Sequence, residues 1–111
     1  MEVDQLQSNQ RFCETAAVTF QQETDRIYLK ASGHYQIVQA GHTAIEIAAP
    51  RCASAVIWNP WQDKAKRLGD IAEGDWQHFV CVECGQIATE TVRLAAGSKV
   101  DYQLKITDIP I

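Results

Sequence analysis

From residue 12 onward the apolar positions recur every second residue rather than every third or fourth, which is the period of a half-buried strand. Ala16, Val18 and Phe20 alternate with polar or small neighbours. Residues 26–30 are β-prone, and Ser32-Gly33 marks a turn before a further strand at 34–38. Ala40-Gly41 then turns the chain into residues 43–47, so 34–48 reads as a hairpin. A strand from Ala53 to Trp58 stops at Asn59-Pro60, because proline brings no ladder donor and biases its predecessor away from helix. Residues 61–68 are the one convincing helix, about two turns long, with Gly69 placed to close it. Strands are predicted again at 77–84, 89–94 and 98–107, the last two joined by Ala96-Gly97. About eight strands at this spacing predict an all-β antiparallel sandwich with one short helix. Residues 1–11 are Gln-rich and polar and read as a frayed N-terminus, which leaves 12–111 as a single domain.

Composition narrows the class of partner. The chain has 111 residues, 46% hydrophobic and 22% charged, a globular balance for one domain. Ten Lys plus Arg against fourteen Asp plus Glu give a net charge of −4, too acidic for a phosphate-neutralising nucleic-acid surface. No apolar run reaches the ~20 residues of a spanning helix, and the first five residues are not a signal peptide, so neither membrane nor secretion is predicted and a cytoplasmic location is expected.

Four cysteines permit three disulfide connectivities, yet nothing marks an oxidising compartment. Cys81 and Cys84 form a CxxC inside a predicted strand, where residues three apart face opposite sides. A zinc knuckle needs a turn and a redox CxxC a helix N-terminus, so reduced structural thiols are expected, with no metal and no cofactor. His34, His42 and His78 are singletons, although His34 and His42 could approach each other across the hairpin. Lys64, Lys66 and Arg67 read as a solvated helix face, offset by Asp63 and Asp70. Trp58, Trp61 and Trp76 fit either packing anchors beside the proline turn or stacking surfaces for a sugar.

Glu83 stands out. Its strand is apolar on both faces, which describes a central strand, and a carboxylate there is costly unless it is hydrogen-bonded or held with a raised pKa, the latter being what a general base requires. The competing reading places Glu83 at the strand exit, in solvent before Gly85. Asp25 between two strands is, taken alone, a turn aspartate.

Three ordered segments add a resemblance. Val56 to Trp61 with Lys64-Ala65 and Leu68 to Asp70 resembles the "VWNPW…KA…L.D" signature of the hexose-6-phosphate mutarotases, or glucose-6-phosphate 1-epimerases. Phe79 to Glu83 is similar to that family's "CVE" segment, and Glu23 to Tyr28 to its "TDRVY" segment. Leu94 to Gly97 falls where the family has a strand ending in Pro-Gly, with Ala96 in place of the proline. The resemblance implies a galactose-mutarotase-like supersandwich that interconverts the anomers of an aldohexose 6-phosphate. It gives Glu83 the part of general base and Asp25 that of orienting sugar hydroxyls; Trp58 and Trp61 stand beside them as candidate sugar contacts on the strength of their aromatic faces alone.

The resemblance covers nearly all of this chain but only the C-terminal portion of the family's longer domain. The family's acid histidine and phosphate-binding arginines lie in the other portion, and none of His34, His42 or His78 falls in a matching segment. Three expectations follow: a truncated mutarotase-like isomerase completed by another copy, a catalytically inactive carbohydrate-binding module, or a structural or oligomerisation domain. Half a supersandwich leaves strand edges and apolar surface to be covered, which predicts a homodimer or higher oligomer.

Overall fold

The computed structural model describes residues 2–4, 10–12, 17–87 and 90–110. The fold is all-β, with one α-helix among the described residues. Its strands are β1 (Glu2–Asp4), β2 (Gln10–Phe12), β3 (Thr24–Tyr28), β4 (His34–Gln39), β5 (His42–Ala48), β6 (Ser54–Asn59), β7 (Cys81–Gly85) and β8 (Lys105–Asp108). They form two antiparallel sheets, one in the order β2-β1-β3-β6-β7 and one in the order β4-β5-β8. Two compact units divide the chain, residues 1–28 with 56–83 and residues 29–55 with 84–111, so the boundary falls inside β6 and β7.

In the first unit, β1 pairs with β2 and β3 on its two sides, Val3 opposite Arg11 and Ile27. This strand lies in the stretch expected to fray. Its polar, three-residue segments carry no apolar period by which a sequence reading could find them. Helix α1 (Trp61–Leu68) occupies the predicted residues. Asp63 in its first turn and Lys66 and Arg67 in its last complement the helix dipole, and Gly69 ends it in the left-handed conformation at φ 76°. Ala65 is the residue it buries, and a Lys64–Glu23 ion pair at 3.5 Å lies on its partly exposed side. A 3-10 helix, Asp75–His78, replaces the first part of the strand predicted at 77–84.

The second unit is built on the predicted hairpin. Ala40 and Gly41 both have positive φ, 53° and 83°, which is the two-residue turn whose twist matches that of the strands. Side chains of β4 alternate between exposed and half-buried as far as Ile37, where a bulge shifts the register before Val38. β8 pairs with β5, Ile47 opposite Ile106. Ile47, Ala49, Cys52 and Ala55 are buried here, together with Leu29. Gly33 packs so closely on the next turn that a Cβ would stand 2.6 Å from the Ala49 carbonyl oxygen. Gln86 ties two segments of the unit together: its Nε2 donates to the Arg51 carbonyl at 2.9 Å, and its Oε1 accepts from the Ala53 N–H at 3.2 Å. Beside it, the Ile87 N–H donates to the buried Ser54 Oγ at 2.9 Å.

Four other expected strands differ. β3 ends at Tyr28 rather than at residue 30, and Lys30 turns away at φ 52°. Residues 17–20 are irregular, while Ala16 lies outside the described residues. Residues 90–104 form no strand among the described residues, and of the predicted 98–107 only residues 105–107 pair into a sheet, as part of β8. Val92 and Leu94 do alternate, but they are half exposed, at 50% and 53%, and no sheet neighbour receives them.

Candidate functional site

Asp25 lies on β3, Trp58 on β6 and Glu83 on β7. β6 is hydrogen-bonded between the other two, so these residues sit on three adjacent strands of one sheet, all within the first unit. Adjacent strands are about 4.8 Å apart, which puts the Asp25 and Glu83 strands about 10 Å from each other. Trp61 follows at the start of α1.

Asn59 organises this end of the sheet. It is 4% exposed, and every polar atom of its side chain is used. Nδ2 donates to the Trp76 carbonyl at 2.9 Å and to the Phe79 carbonyl at 2.8 Å, while Oδ1 accepts the Trp61 N–H at 2.8 Å. The last bond holds Trp61 in a left-handed conformation, φ 61°, costly for a bulky residue unless its surroundings enforce it. Pro60 is fully buried beside it. Asn59 therefore joins the end of β6, the start of α1 and the segment leading into β7. The Asn-Pro dipeptide signals only the strand end, so the sequence reading passes over this role.

The tryptophans are engaged with other rings. Trp58 meets Phe79 with centroids 6.1 Å apart and planes at 44°, and Trp61 meets Trp76 at 4.6 Å and 53°. Both stay half-buried, so each keeps some accessible surface.

Glu83 is exposed, which corrects the expectation of a buried carboxylate. The apolar residues on both sides of it imply a central strand, but β7 is the last strand of its sheet. Its charge is nonetheless felt locally. Burial, and then the Glu83 carboxylate, push the Cys81 thiol above its ordinary pKa. Cys81 and Cys84 lie three apart on a strand, as the spacing predicts. Among the described residues Cys52, Cys81 and Cys84 are unbridged, and Cys13 lies outside them. Burial and then the nearby Cys52 raise the Cys84 thiol.

His34 and His42 lie apart from each other. His34 pairs with Ala48 and His42 with Gln39, at opposite ends of the hairpin, so the approach considered between them does not occur. A hairpin brings together residues that face each other across the turn, and these two face other partners. His78 closes the 3-10 helix, five residues before Glu83. Two surface depressions, of about 510 Å³ beside α1 and about 440 Å³ over β4, β5 and β8, include none of Asp25, Trp58, Trp61 or Glu83.

The family model described as aldose 1-epimerase matches residues 1–107. The chain belongs to the aldose 1-epimerase family. It is also similar to a Cenchrus ciliaris protein named "Putative glucose-6-phosphate 1-epimerase", with 26% identity over 110 residues. That match covers 97% of this chain and 33% of the Cenchrus protein, so the chain spans about a third of the length of this curated relative. Among the described residues no helix is long and apolar enough to cross a membrane.

Proposed function

We propose that this aldose 1-epimerase family chain binds an aldohexose or hexose 6-phosphate, and that Glu83 serves as general base in exchanging its anomers. The observation that carries the reading is the placement of Asp25, Trp58 and Glu83 on the adjacent strands β3, β6 and β7. Glu83 takes the proton of the C1 hydroxyl while an acid protonates the ring oxygen. The C1–O5 bond breaks to give the open-chain aldehyde, rotation about C1–C2 presents its other face, and the 5-hydroxyl recloses on it. Asp25 accepts hydrogen bonds from sugar hydroxyls, and Trp58 and Trp61 contact the ring. The acid comes from outside the segments that carry these residues. The exposed Leu94, Leu104 and Ile106 supply apolar surface for association with a second copy of the chain.

A second reading, a catalytically inactive carbohydrate-binding or structural domain, is favoured by one observation. Trp58 and Trp61 each pack on another aromatic ring, which is how core anchors behave. Polarimetry of freshly dissolved α-D-glucose 6-phosphate separates the two: catalysed relaxation supports the isomerase, and relaxation at the buffer rate supports the second reading.

A further inference from the structure

The depression beside α1 has features of its own. Its volume of about 510 Å³ falls within the range of small-ligand sites, about 300–1,000 Å³. One wall is the helix, which contributes Gln62, Ala65 and Lys66, spaced three and four residues apart and so on one face. The other wall contributes Glu73, Trp76 and Gln77.

The second wall is fixed in place. Asn59 Nδ2 holds the Trp76 carbonyl, and the Trp61 ring packs on the Trp76 ring with centroids 4.6 Å apart. The Asp75 N–H donates to the Ala72 carbonyl at 3.0 Å, and the Gln77 N–H to that of Gly74 at 3.2 Å. Gly74 makes this turn at φ 82°. A ligand would therefore not have to order this wall on binding.

The lining chemistry selects the ligand. Lys66 and Glu73 cancel in charge, which disfavours a free anion or cation. Trp76 offers an apolar ring surface, while Gln62 and Gln77 offer amides that both donate and accept. An indole beside side chains that both donate and accept matches a neutral pyranose, whose C–H face is apolar and whose hydroxyls donate and accept.

We propose that the groove between α1 and the 3-10 helix is a binding site for a neutral saccharide, separate from the Asp25, Trp58 and Glu83 strands. The proposal does not rest on the isomerase reading.

The test is a titration of the full chain with methyl β-D-glucopyranoside followed by ¹H–¹⁵N NMR. The locked acetal of this probe cannot open its ring, so binding is read apart from anomer exchange. The expected result is a saturable shift of the Trp76 indole N–H and of the Gln62 and Gln77 side-chain amides, with Kd in the millimolar range. Both glutamines are exposed, and the Gln62→Ala/Gln77→Ala double variant weakens the binding about tenfold by removing two hydrogen-bonding groups. Glu83→Gln leaves it unchanged. No shift up to about 100 mM glycoside, shifts confined to Trp58, an unchanged Kd in the double variant, or equal shifts with inorganic phosphate would each overturn the proposal.

Discussion

The side chain of Asn59 donates to the backbone carbonyl of Phe79 at 2.8 Å, tying the end of β6 to the segment that enters β7 and carries Glu83. With the bonds to the Trp76 carbonyl and the Trp61 N–H, one buried amide satisfies three backbone groups. Asn59→Ala leaves all three without that partner and is expected to cost about 3 kcal/mol. Asn59→Asp keeps an acceptor for Trp61 but sets a carboxylate oxygen against two carbonyls, so it is expected to destabilise at least as much. Urea unfolding of the two variants checks this, and a loss below about 1 kcal/mol in both contradicts the role given to Asn59.

Gly33 and Gly41 share a left-handed conformation but not a neighbourhood. A Cβ on Gly33 meets the Ala49 carbonyl oxygen at 2.6 Å and Pro50 Cα at 2.9 Å, whereas one on Gly41 meets nothing within 4 Å. Gly41→Ala is expected to cost about 1–2 kcal/mol, the conformational penalty alone. Gly33→Ala adds a backbone clash and is expected to cost clearly more. Thermal unfolding of the pair checks the order, and equal losses contradict it.

Tyr35 gives the second unit a pH dependence. Burial, then the nearby Cys84, raise its phenol above the ordinary 10.0, with a smaller contribution from Cys52 in the same sense; the Gly33 backbone opposes the rise. The unfolded chain then loses this proton at lower pH than the folded one. The stability is therefore present below pH 10.0 and is lost as pH rises through the raised value. Tyr35→Phe is expected to flatten this alkaline loss. Its hydroxyl is buried and makes no well-formed hydrogen bond among the described residues beyond a weak approach to the Gly33 backbone, so the change costs no more than about 1 kcal/mol at neutral pH. Urea midpoints across the alkaline range measure both effects, and an unchanged alkaline slope contradicts the first.

Cys81 reports on Glu83. Because burial and then the Glu83 carboxylate raise this thiol, Glu83→Gln is expected to ease its ionisation and speed its alkylation by iodoacetamide. Cys84, raised by burial and then by Cys52, is expected to react at its former rate. Peptide mass spectrometry of timed samples distinguishes the two sites. An unchanged rate at Cys81 contradicts the local influence of Glu83.

The parts of the fold legible in the sequence are those with a local physical signal. Helix α1 carries its charge bias and its closing Gly69 within eight residues, and the hairpin carries Ala40-Gly41 between two alternating runs. Less legible are features set by distant neighbours. Val92 and Leu94 have the period of a strand but no strand beside them, and the apolar residues around Glu83 belong to an edge rather than a centre. The candidate site divides the same way. Its residue types follow from the motifs, and their placement on adjacent strands follows from β6 pairing with both β3 and β7. The work of Asn59 depends on carbonyls 17 and 20 residues away, which no local pattern announces.

The central claim is that Glu83 accepts the anomeric proton, and two-dimensional exchange NMR on glucose 6-phosphate tests it most directly. The wild-type chain is expected to accelerate α-to-β exchange above the buffer rate, and Glu83→Gln to remove about 10²–10⁴-fold of that acceleration, the usual worth of a general base. Wild-type exchange at the buffer rate, or acceleration that survives Glu83→Gln, would contradict the account.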